Sequence, residues 1–424
     1  MRMRSRFAVV LNWAGNFMIV LVSKVQVLLA MRLCPLSNNQ TPLDLIKPSR
    51  ILLIQLYDTV GDVMFTSPLI RELAQGFPEC KLTVAVSAHG VTGLLDKNPH
   101  IADTIAVDVR CHKWLRPFLL PWRHWLLARK KLRPRGFDVA IIPRSSVDYC
   151  YATFLAYFSG TPCRVGYTEK MNRRKGILNC NWDQLLTVLL PPLSANANEV
   201  LLNLNVLSVF GKSAKSDHTE IWTSSEDRQF ASAALESSRR KRVCISPTSG
   251  HSELKQWGIE RFTELAGELV RHGFDVILVG SPRDKPLGSI IEERLNDGCT
   301  NLIGKTSIRE MAAVVSNCDI YVGNDAGPAH VASAMGVSTI TIFGSSCHHQ
   351  FAPWGQRNRV ITMELKCSPC GSGHHIDRCS HCIYEQPKCL HAITVETVLG
   401  TVLSMLASLT TMGVQYDSHD SLTS

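Results

Sequence analysis

Nothing in this sequence repeats: it has no period of the solenoid kind, no long low-complexity stretch and no G-x-G-x-x-G dinucleotide turn. Charge is scarce, at 19% of 424 residues against 45% apolar, which excludes a largely disordered chain. Glycine shows no collagen-like spacing. The 15 cysteines are an odd number, which argues against a fully paired secreted framework. Most stand singly in apolar runs, as Cys80, Cys150, Cys244 and Cys318 do, the pattern of buried thiols in a reducing compartment. A globular chain remains, and its length predicts two or three domains at roughly 100–200 residues each.

Acidic residues are missing from two places. Residues 1–50 hold seven Lys/Arg and one acid, and residues 110–180 hold fifteen Lys/Arg and three acids. Those segments carry +6 and +12, so a formal net charge of +9 leaves −9 for the rest of the chain. Such a basic segment attracts a polyanion: nucleic acid, an acidic membrane surface, or a phosphorylated or carboxylated substrate. The plainer alternative is a solvated basic face.

Residues 7–31 are apolar apart from Lys24, with Arg2, Arg4 and Arg6 before them and Arg32 after. No small-residue cleavage site follows, which argues against a signal peptide. The stretch is long enough for a membrane helix. Yet Asn12, Asn16, Ser23 and Gln26 share one helical stripe, which suits a helix lying in the membrane interface or packed on the protein. We read residues 1–48 as a hydrophobic and basic extension that associates with the cytoplasmic face of a membrane. The alternative reading starts the globular protein near Arg50.

From Arg50 the pattern alternates strands and helices. Strands are expected at Ile51–Tyr57, Lys81–Ser87, Asp103–Val107 and Asp138–Ile142, with an amphipathic basic helix over Trp114–Arg135. A second series runs from Val243–Ser246 through Phe274–Val279, Asn301–Ile303 and Asp319–Val322 to Ser338–Phe343. Alternation of this kind predicts parallel sheets flanked by helices, with ligands beyond the strands' carboxyl ends. The polar stretch after Gly211 sets the boundary. Domains are expected at 49–212 and 213–395, with a C-terminal helix and tail at 396–424.

Four motifs carry chemistry. Gly61-Asp62 stands where the first strand hands over to a helix. Asp62 there is either a general base or a first-turn acid that favours the helix dipole. Gly323-Asn324-Asp325-Ala326-Gly327-Pro328-Ala329-His330 follows a strand and opens a helix, whose amides would hold a diphosphate while Asp325 holds sugar hydroxyls. Ser246-Pro247-Thr248-Ser249-Gly250 can cradle phosphate, with Lys255 adding charge for a leaving diphosphate. Cys367, Cys370, Cys379 and Cys382 form two C-x-x-C pairs. They read as a structural zinc site, as packed thiols or as a redox-labile pair.

The run ILLIQLYDTVGDVMFTSPLIRELAQGFPECKLTVAV resembles the start of the heptosyltransferases of glycosyltransferase family 9. So does YVGNDAGPAHVASAMGVSTITIFGSS, and Pro353-Trp354-Gly355 and Cys367-Ser368-Pro369-Cys370 fit the same family. The likeness spans about residues 50–405. It implies an α/β GT-B fold, with two Rossmann-like domains whose parallel sheets face a central cleft. It implies inverting, metal-independent transfer of heptose from ADP-heptose to the inner core of lipopolysaccharide, with no cofactor required and a structural zinc as an option.

The resemblance makes Asp62 the catalytic base. It places Thr248, Ser249, Lys255, Asp325, Ala326, Gly327 and His330 at the donor, with Asp284 on the ribose although Arg283 and Pro282 alter that stretch. Arg144, Arg164, Lys170, Arg173 and Arg174 are the expected acceptor ligands, gripping carboxylates and phosphates of an anionic lipopolysaccharide precursor. The expected partners are the nucleotide sugar, that acceptor and, peripherally, the inner membrane, with no nucleic acid. Two alternatives stand beside this reading. One is the same fold using another nucleotide sugar for another surface glycan. The other is a basic, zinc-containing nucleic-acid-binding protein.

Overall fold

The computed structural model describes residues 2–36, 47–57, 59–88, 92–193, 197–235, 238–250, 252–296, 298–370, 382–384 and 386–411; of residues 2–17, 92, 410 and 411 only the backbone is described. The chain divides into two compact units. The first takes Met1–Trp222 with the returning segment Cys347–Trp354, and the second takes Thr223–Ser346 with Gly355–Pro369 and the C-terminal helix.

The first unit holds β1 (Arg50–Gln55), β2 (Lys81–Ser87), β3 (Asp103–Val107), β4 (Val139–Ile142), β5 (Cys163–Tyr167) and β6 (Val188–Leu190). They pair in parallel in the order β3-β2-β1-β4-β5-β6. Ile51 to Gln55 are buried without a break, because helices cover both faces of a parallel sheet and leave no polar side. The helices used below are α1 (Arg2–Leu33), α2 (Val60–Gly76), α3 (Arg116–Leu127), α4 (Ala152–Phe158), α5 (Arg173–Leu178) and α6 (Glu199–Leu204).

Helix α2 starts at Thr59, whose hydroxyl accepts from the Asp62 amide. It tolerates Pro68 because the Ser67 hydroxyl donates to Met64 O at 2.8 Å, the carbonyl that Pro68 has no N–H to reach. The basic stretch expected as one helix to Arg135 is α3, followed by a wider turn at Ala128–Leu132 and a tighter one at Arg133–Arg135, which ends at Gly136 with φ +60°.

Helix α1 is part of this unit's core. Val27, Ala30 and Cys34 are buried against the sheet and α4. The Tyr157 hydroxyl donates to Cys34 O at 2.7 Å, and the Trp182 indole N–H donates to Ser23 Oγ at 2.8 Å. The polar stripe read from the sequence thus faces inward at Ser23 and Gln26, and the core begins before the first strand. Among the described residues, no helix is long and apolar enough to cross a membrane.

The second unit repeats the first. Strands β7 (Arg242–Ser246), β8 (Asp275–Leu278), β9 (Cys299–Asn301), β10 (Ile320–Asn324), β11 (Ser338–Phe343) and β12 (Asn358–Thr362) pair in parallel as β12-β11-β10-β7-β8-β9. Numbered within its unit, each sheet has the order 3-2-1-4-5-6, the doubly wound arrangement. Helices α7 (Ile259–Arg271), α8 (Gly327–Ala334) and α9 (Val395–Thr411) belong here. Val398, Val402 and Leu406 of α9 lie in the core, so this helix is a layer of the second unit.

Two stretches set with the second domain on sequence belong to the first. Arg71 donates to Ser216 O and His218 O and pairs with Glu220 at 2.7 Å, which fixes 215–220 against α2. Gln350 donates to Glu199 at 2.6 Å and Asn198 to Ala352 O at 3.2 Å, which fixes the returning segment.

Candidate functional site

In each sheet the connections leave in opposite directions from the two central strands, opening a crevice at their carboxyl ends. In the first unit those strands are β1 and β4, and each delivers one charge. Asp62 comes from the first turn of α2, after β1. Arg144 comes from the loop after β4. The Arg144 guanidinium meets Asp62 Oδ1 at 2.7 Å, with the two side chains 19% and 15% exposed. The Thr59 hydroxyl donates to the other oxygen, Oδ2, at 2.5 Å. Arg144 also lies on the Tyr57 ring, 3.8 Å from its centroid. Burial works to lower the Arg144 pKa, but the charges of Asp62, Tyr57 and Glu199 outweigh it and hold the guanidinium above its ordinary value.

A small concavity beside the pair is lined by Gln55, Asp62, Phe65, Pro143, Arg144, Glu199 and Asn203. The Gln55 side-chain amide donates to Asp62 O at 2.9 Å and fixes the turn that presents the carboxylate. Glu199 is a second carboxylate in this wall and is fully buried. It accepts from Gln350 and from the Ser145 hydroxyl at 3.2 Å. Burial raises its pKa against the pull of Arg144. Sequence reasoning missed Glu199. Its local signal, Asn198 capping α6, marks only a helix start.

The expected acceptor ligands separate by burial. Arg173 and Arg174 are exposed at the start of α5, and Lys170 is exposed just before it. Arg164 is different: it has no exposed surface, and it donates to Leu185 O and Thr161 O at 2.7 Å each. It holds two loops together inside the fold and cannot reach a ligand from there. Lys175, not singled out on sequence, ties α5 to the Arg144 loop. Its ammonium donates to Arg144 O, Ser145 O and Tyr167 O at 3.4, 3.2 and 2.9 Å. Burial pulls its pKa down to about 8.

The second unit mirrors this layout with the charges exchanged. Lys255 follows the first central strand, β7, and Asp325 follows the other, β10. Lys255 Nζ lies 2.7 Å from Asp325 Oδ2, with Asp325 5% and Lys255 29% exposed. The pair lacks the angular alignment of a hydrogen bond, since that carboxylate oxygen has no hydrogen-bond partner among the described residues.

Asn324, which the sequence argument passed over, organises this crevice. Its amide nitrogen donates to Pro247 O and Thr248 O at 2.9 and 3.1 Å, and its oxygen accepts from the Trp257 amide at 3.1 Å. One side chain therefore clamps both loops beyond β7, the one with Thr248 and Ser249 and the one with Lys255. Thr248 and Ser249 are buried. Gly323 is required where β10 passes β7, because a Cβ there would stand 2.9 Å from Ser246 O.

Ala326 precedes α8 and supplies no side-chain cap, Gly327 and Pro328 open the helix, and His330 is buried within it. An uncapped first turn next to a lysine suits an anionic group. Asp284 is placed otherwise. Its Oδ2 accepts from the Ser281 amide at 2.8 Å and from the Ser281 hydroxyl at 2.5 Å, closing a capping box after β8. That oxygen is committed to the turn.

Cys379, like His374, His375 and His381, lies outside the described residues. Cys367, Cys370 and Cys382 are half-buried. Among the described residues, no group of three or more His, Cys, Asp or Glu side chains could hold a metal ion.

Known proteins resemble this chain in sequence and in fold. The lipopolysaccharide core heptosyltransferase OpsX of Haemophilus influenzae is 25% identical over 320 residues, 74% of this chain and 85% of that protein. Lipopolysaccharide heptosyltransferase 2 of Salmonella typhimurium is 25% identical over 372 residues, 82% and 96% of the two chains. The solved E. coli ADP-heptose lps heptosyltransferase II superposes with a TM-score of 0.61 at 21% identity, covering 85% of this chain and 99% of its own. That likeness establishes the shared GT-B fold. The profile of Glycosyltransferase family 9 (heptosyltransferase) matches residues 125–380, more than half the sequence. This chain therefore belongs to glycosyltransferase family 9 and is a glycosyltransferase.

Proposed function

We propose that this protein transfers heptose from ADP-heptose to the inner core of a lipopolysaccharide precursor, with inversion at the anomeric carbon and without a metal ion. The observation that carries the reading is the Lys255–Asp325 pair at the switch point of the second sheet, beside the uncapped start of α8. A cation and a helix N-terminus suit a diphosphate, and a buried carboxylate suits sugar hydroxyls. The donor's identity is supported by the relatives, which are lipopolysaccharide heptosyltransferases, the solved E. coli protein being an ADP-heptose lps heptosyltransferase.

In this reading Lys255 neutralises the charge that grows on the leaving diphosphate, in a site organised before the reaction by Asn324. Thr248, Ser249 and Gly327 line the phosphates, Ala326 and His330 border them, and Asp325 orients the sugar. Asp284 retains one uncommitted oxygen for the ribose. In the first unit, Asp62 takes the proton of the attacking acceptor hydroxyl. Arg144 holds Asp62 in place and meets acceptor anions together with Lys170, Arg173 and Arg174. The acceptor is a lipid, so the enzyme works at the cytoplasmic face of the inner membrane with peripheral contact. Cys367, Cys370, Cys379 and Cys382 keep a structural zinc as one option beside packed thiols, and elemental analysis of the purified protein decides between them.

The test is ADP release and a heptosylated product from ADP-heptose and a Kdo-lipid A acceptor. ADP must compete better than UDP or GDP. Preference for UDP would overturn the donor assignment in favour of another nucleotide sugar.

A further inference from the structure

The first unit carries a surface that this chemistry does not use. Around the start of α3, Trp114 (73% exposed), Phe118 (68%) and Trp122 (55%) project from the protein. On α1, Leu28 (59%), Leu29 (52%) and Leu33 (63%) do the same. The two helices adjoin, since the Gln26 side-chain amide of α1 donates to Pro117 O in the first turn of α3. Burying the opposite faces of both helices in the core fixes which residues remain outside: Val27 and Ala30 go in, and so do Leu120 and His124. Large apolar side chains gathered on neighbouring helices mark an interaction surface.

The charge around these side chains selects the partner. From Val109 to Phe137 the chain has nine Lys/Arg and no acid. Lys113, Arg129, Lys130 and Lys131 are exposed here, as are Lys24 and Arg32 on α1. Among the described residues the acids that answer them are Asp108, 3.4 Å from Arg123, and Asp103, paired with Arg135. The Lys113 ammonium stands 5.7 Å from the Trp114 ring centroid, and Arg129 stands 5.6 Å from that of Trp125. A second copy of this chain would bring the same uncompensated cations to the contact and be repelled. A nucleic acid would use the cations but leave the tryptophans and leucines in water. A bilayer with anionic headgroups satisfies both: indole rings sit at headgroup depth, aliphatic side chains reach the acyl boundary, and the cations meet phosphates.

We propose that α1 and α3 together form a docking surface for an anionic bilayer, with Trp114, Phe118 and Trp122 as its inserting side chains. The surface stands on its own observations, and its test separates it from the transferase reading.

Full-length protein is mixed with vesicles of phosphatidylcholine alone, or of phosphatidylcholine with phosphatidylglycerol, and sedimented. The wild type is expected to bind the anionic vesicles at least about tenfold better and to lose that binding in high salt. Brominated lipids in the same vesicles are expected to quench its tryptophan fluorescence. The triple variant Trp114→Ser/Phe118→Ser/Trp122→Ser is expected to lose vesicle binding at least about tenfold. These side chains are exposed, so the variant should keep the wild-type thermal unfolding and the wild-type rate on a delipidated, water-soluble acceptor. Three results would overturn the proposal: undiminished vesicle binding by the folded variant, no preference of the wild type for anionic vesicles, or a wild-type dimer that the variant dissolves while vesicle binding persists. Loss of transfer on the soluble acceptor with vesicle binding intact would count against the transferase reading alone.

Discussion

The Asp62–Arg144 pair can be dismantled one side at a time. Its charged atoms are 2.7 Å apart, and both side chains are more than four-fifths buried. At an effective dielectric of about 20, unit charges at that spacing attract by about 6 kcal/mol, and desolvation takes back most of it. A net coupling of about 1–3 kcal/mol is the scale to expect for groups in contact. Asp62→Asn keeps the shape and the Thr59 contact but removes the proton acceptor, so kcat/KM should fall about 10²–10⁴-fold. Arg144→Gln leaves the carboxylate in place without its cation and should cost about 10–100-fold, mostly through acceptor KM. The double variant should lose less than the product of the two, by about 1–3 kcal/mol. The assay is ADP release at saturating donor and varied acceptor. The rise in Tm on adding ADP serves as a donor-binding control and should be unchanged, since Lys255 and Asp325 belong to the other unit. An Asp62→Asn enzyme that keeps more than about a tenth of wild-type kcat/KM would refute the base assignment. Strictly multiplicative losses would refute the claim that the two side chains act as one device.

Two further outcomes follow from groups that the reaction itself does not touch. Burial holds Lys175 at about 8, below its ordinary 10.5, so the folded state gives up that proton more readily than the unfolded chain. The cost of its burial is fully present below about pH 8 and disappears as pH rises to 10.5. Relative to Lys175→Met, the wild type should therefore gain about 3 kcal/mol of stability between pH 7 and pH 10.5 in urea unfolding of the first unit. A pH-independent difference would show that Lys175 is not buried as described. Gly323→Ala would place a methyl 2.9 Å from Ser246 O and against the Tyr321 hydroxyl. It should cost about 1–3 kcal/mol, a fall of several degrees in the Tm of the second unit, and weaken ADP binding by shifting the loop beyond β7. An unchanged Tm would show that β7 and β10 do not approach as closely.

The parts of the fold that could be read from the sequence were those buried on both faces. Ile51–Tyr57, Lys81–Ser87 and Ser338–Phe343 stand out because a strand covered on both sides has no polar alternation to confuse with a loop. Three strands did not stand out. Strand β6 has three residues before Pro191-Pro192, β5 is split by Arg164 and Gly166, and β12 is a half-exposed edge rich in polar residues. Strands β6 and β12 are sheet edges with little buried apolar surface, and β5, though buried throughout, has no continuous apolar run. The site divided in the same way. Asp62, Lys255 and Asp325 follow central strands and are legible as strand-to-helix turns. Asn324, Glu199 and Lys175 each act through a partner far away in the chain, 67, 151 and 31 positions off for Trp257, Gln350 and Arg144, and no local pattern records those partners.

The basic segment 110–180 shows what a charge sum conceals. Its cations go to three destinations that one number cannot distinguish. Arg164 and Lys175 are spent inside the fold on backbone carbonyls, and Arg144 is paired with Asp62. Lys170, Arg173 and Arg174 stay exposed around the start of α5, whose last residue in that run, Lys175, is bonded to the Arg144 loop. Those from Arg110 to Lys131 surround the aromatic side chains of α3. Neutralising cations across the segment should therefore have three different effects. Arg164→Met strands the carbonyls of Leu185 and Thr161 and should lower stability by about 1–3 kcal/mol, read as Tm, leaving the kinetics of the surviving folded enzyme intact. Arg173→Gln/Arg174→Gln should raise acceptor KM while Tm and ADP binding hold. Lys130→Gln/Lys131→Gln should weaken binding to anionic vesicles and leave transfer to a soluble acceptor unchanged. If all three variants raise acceptor KM alike, the segment acts as one diffuse field, and burial has not sorted its charges into separate tasks.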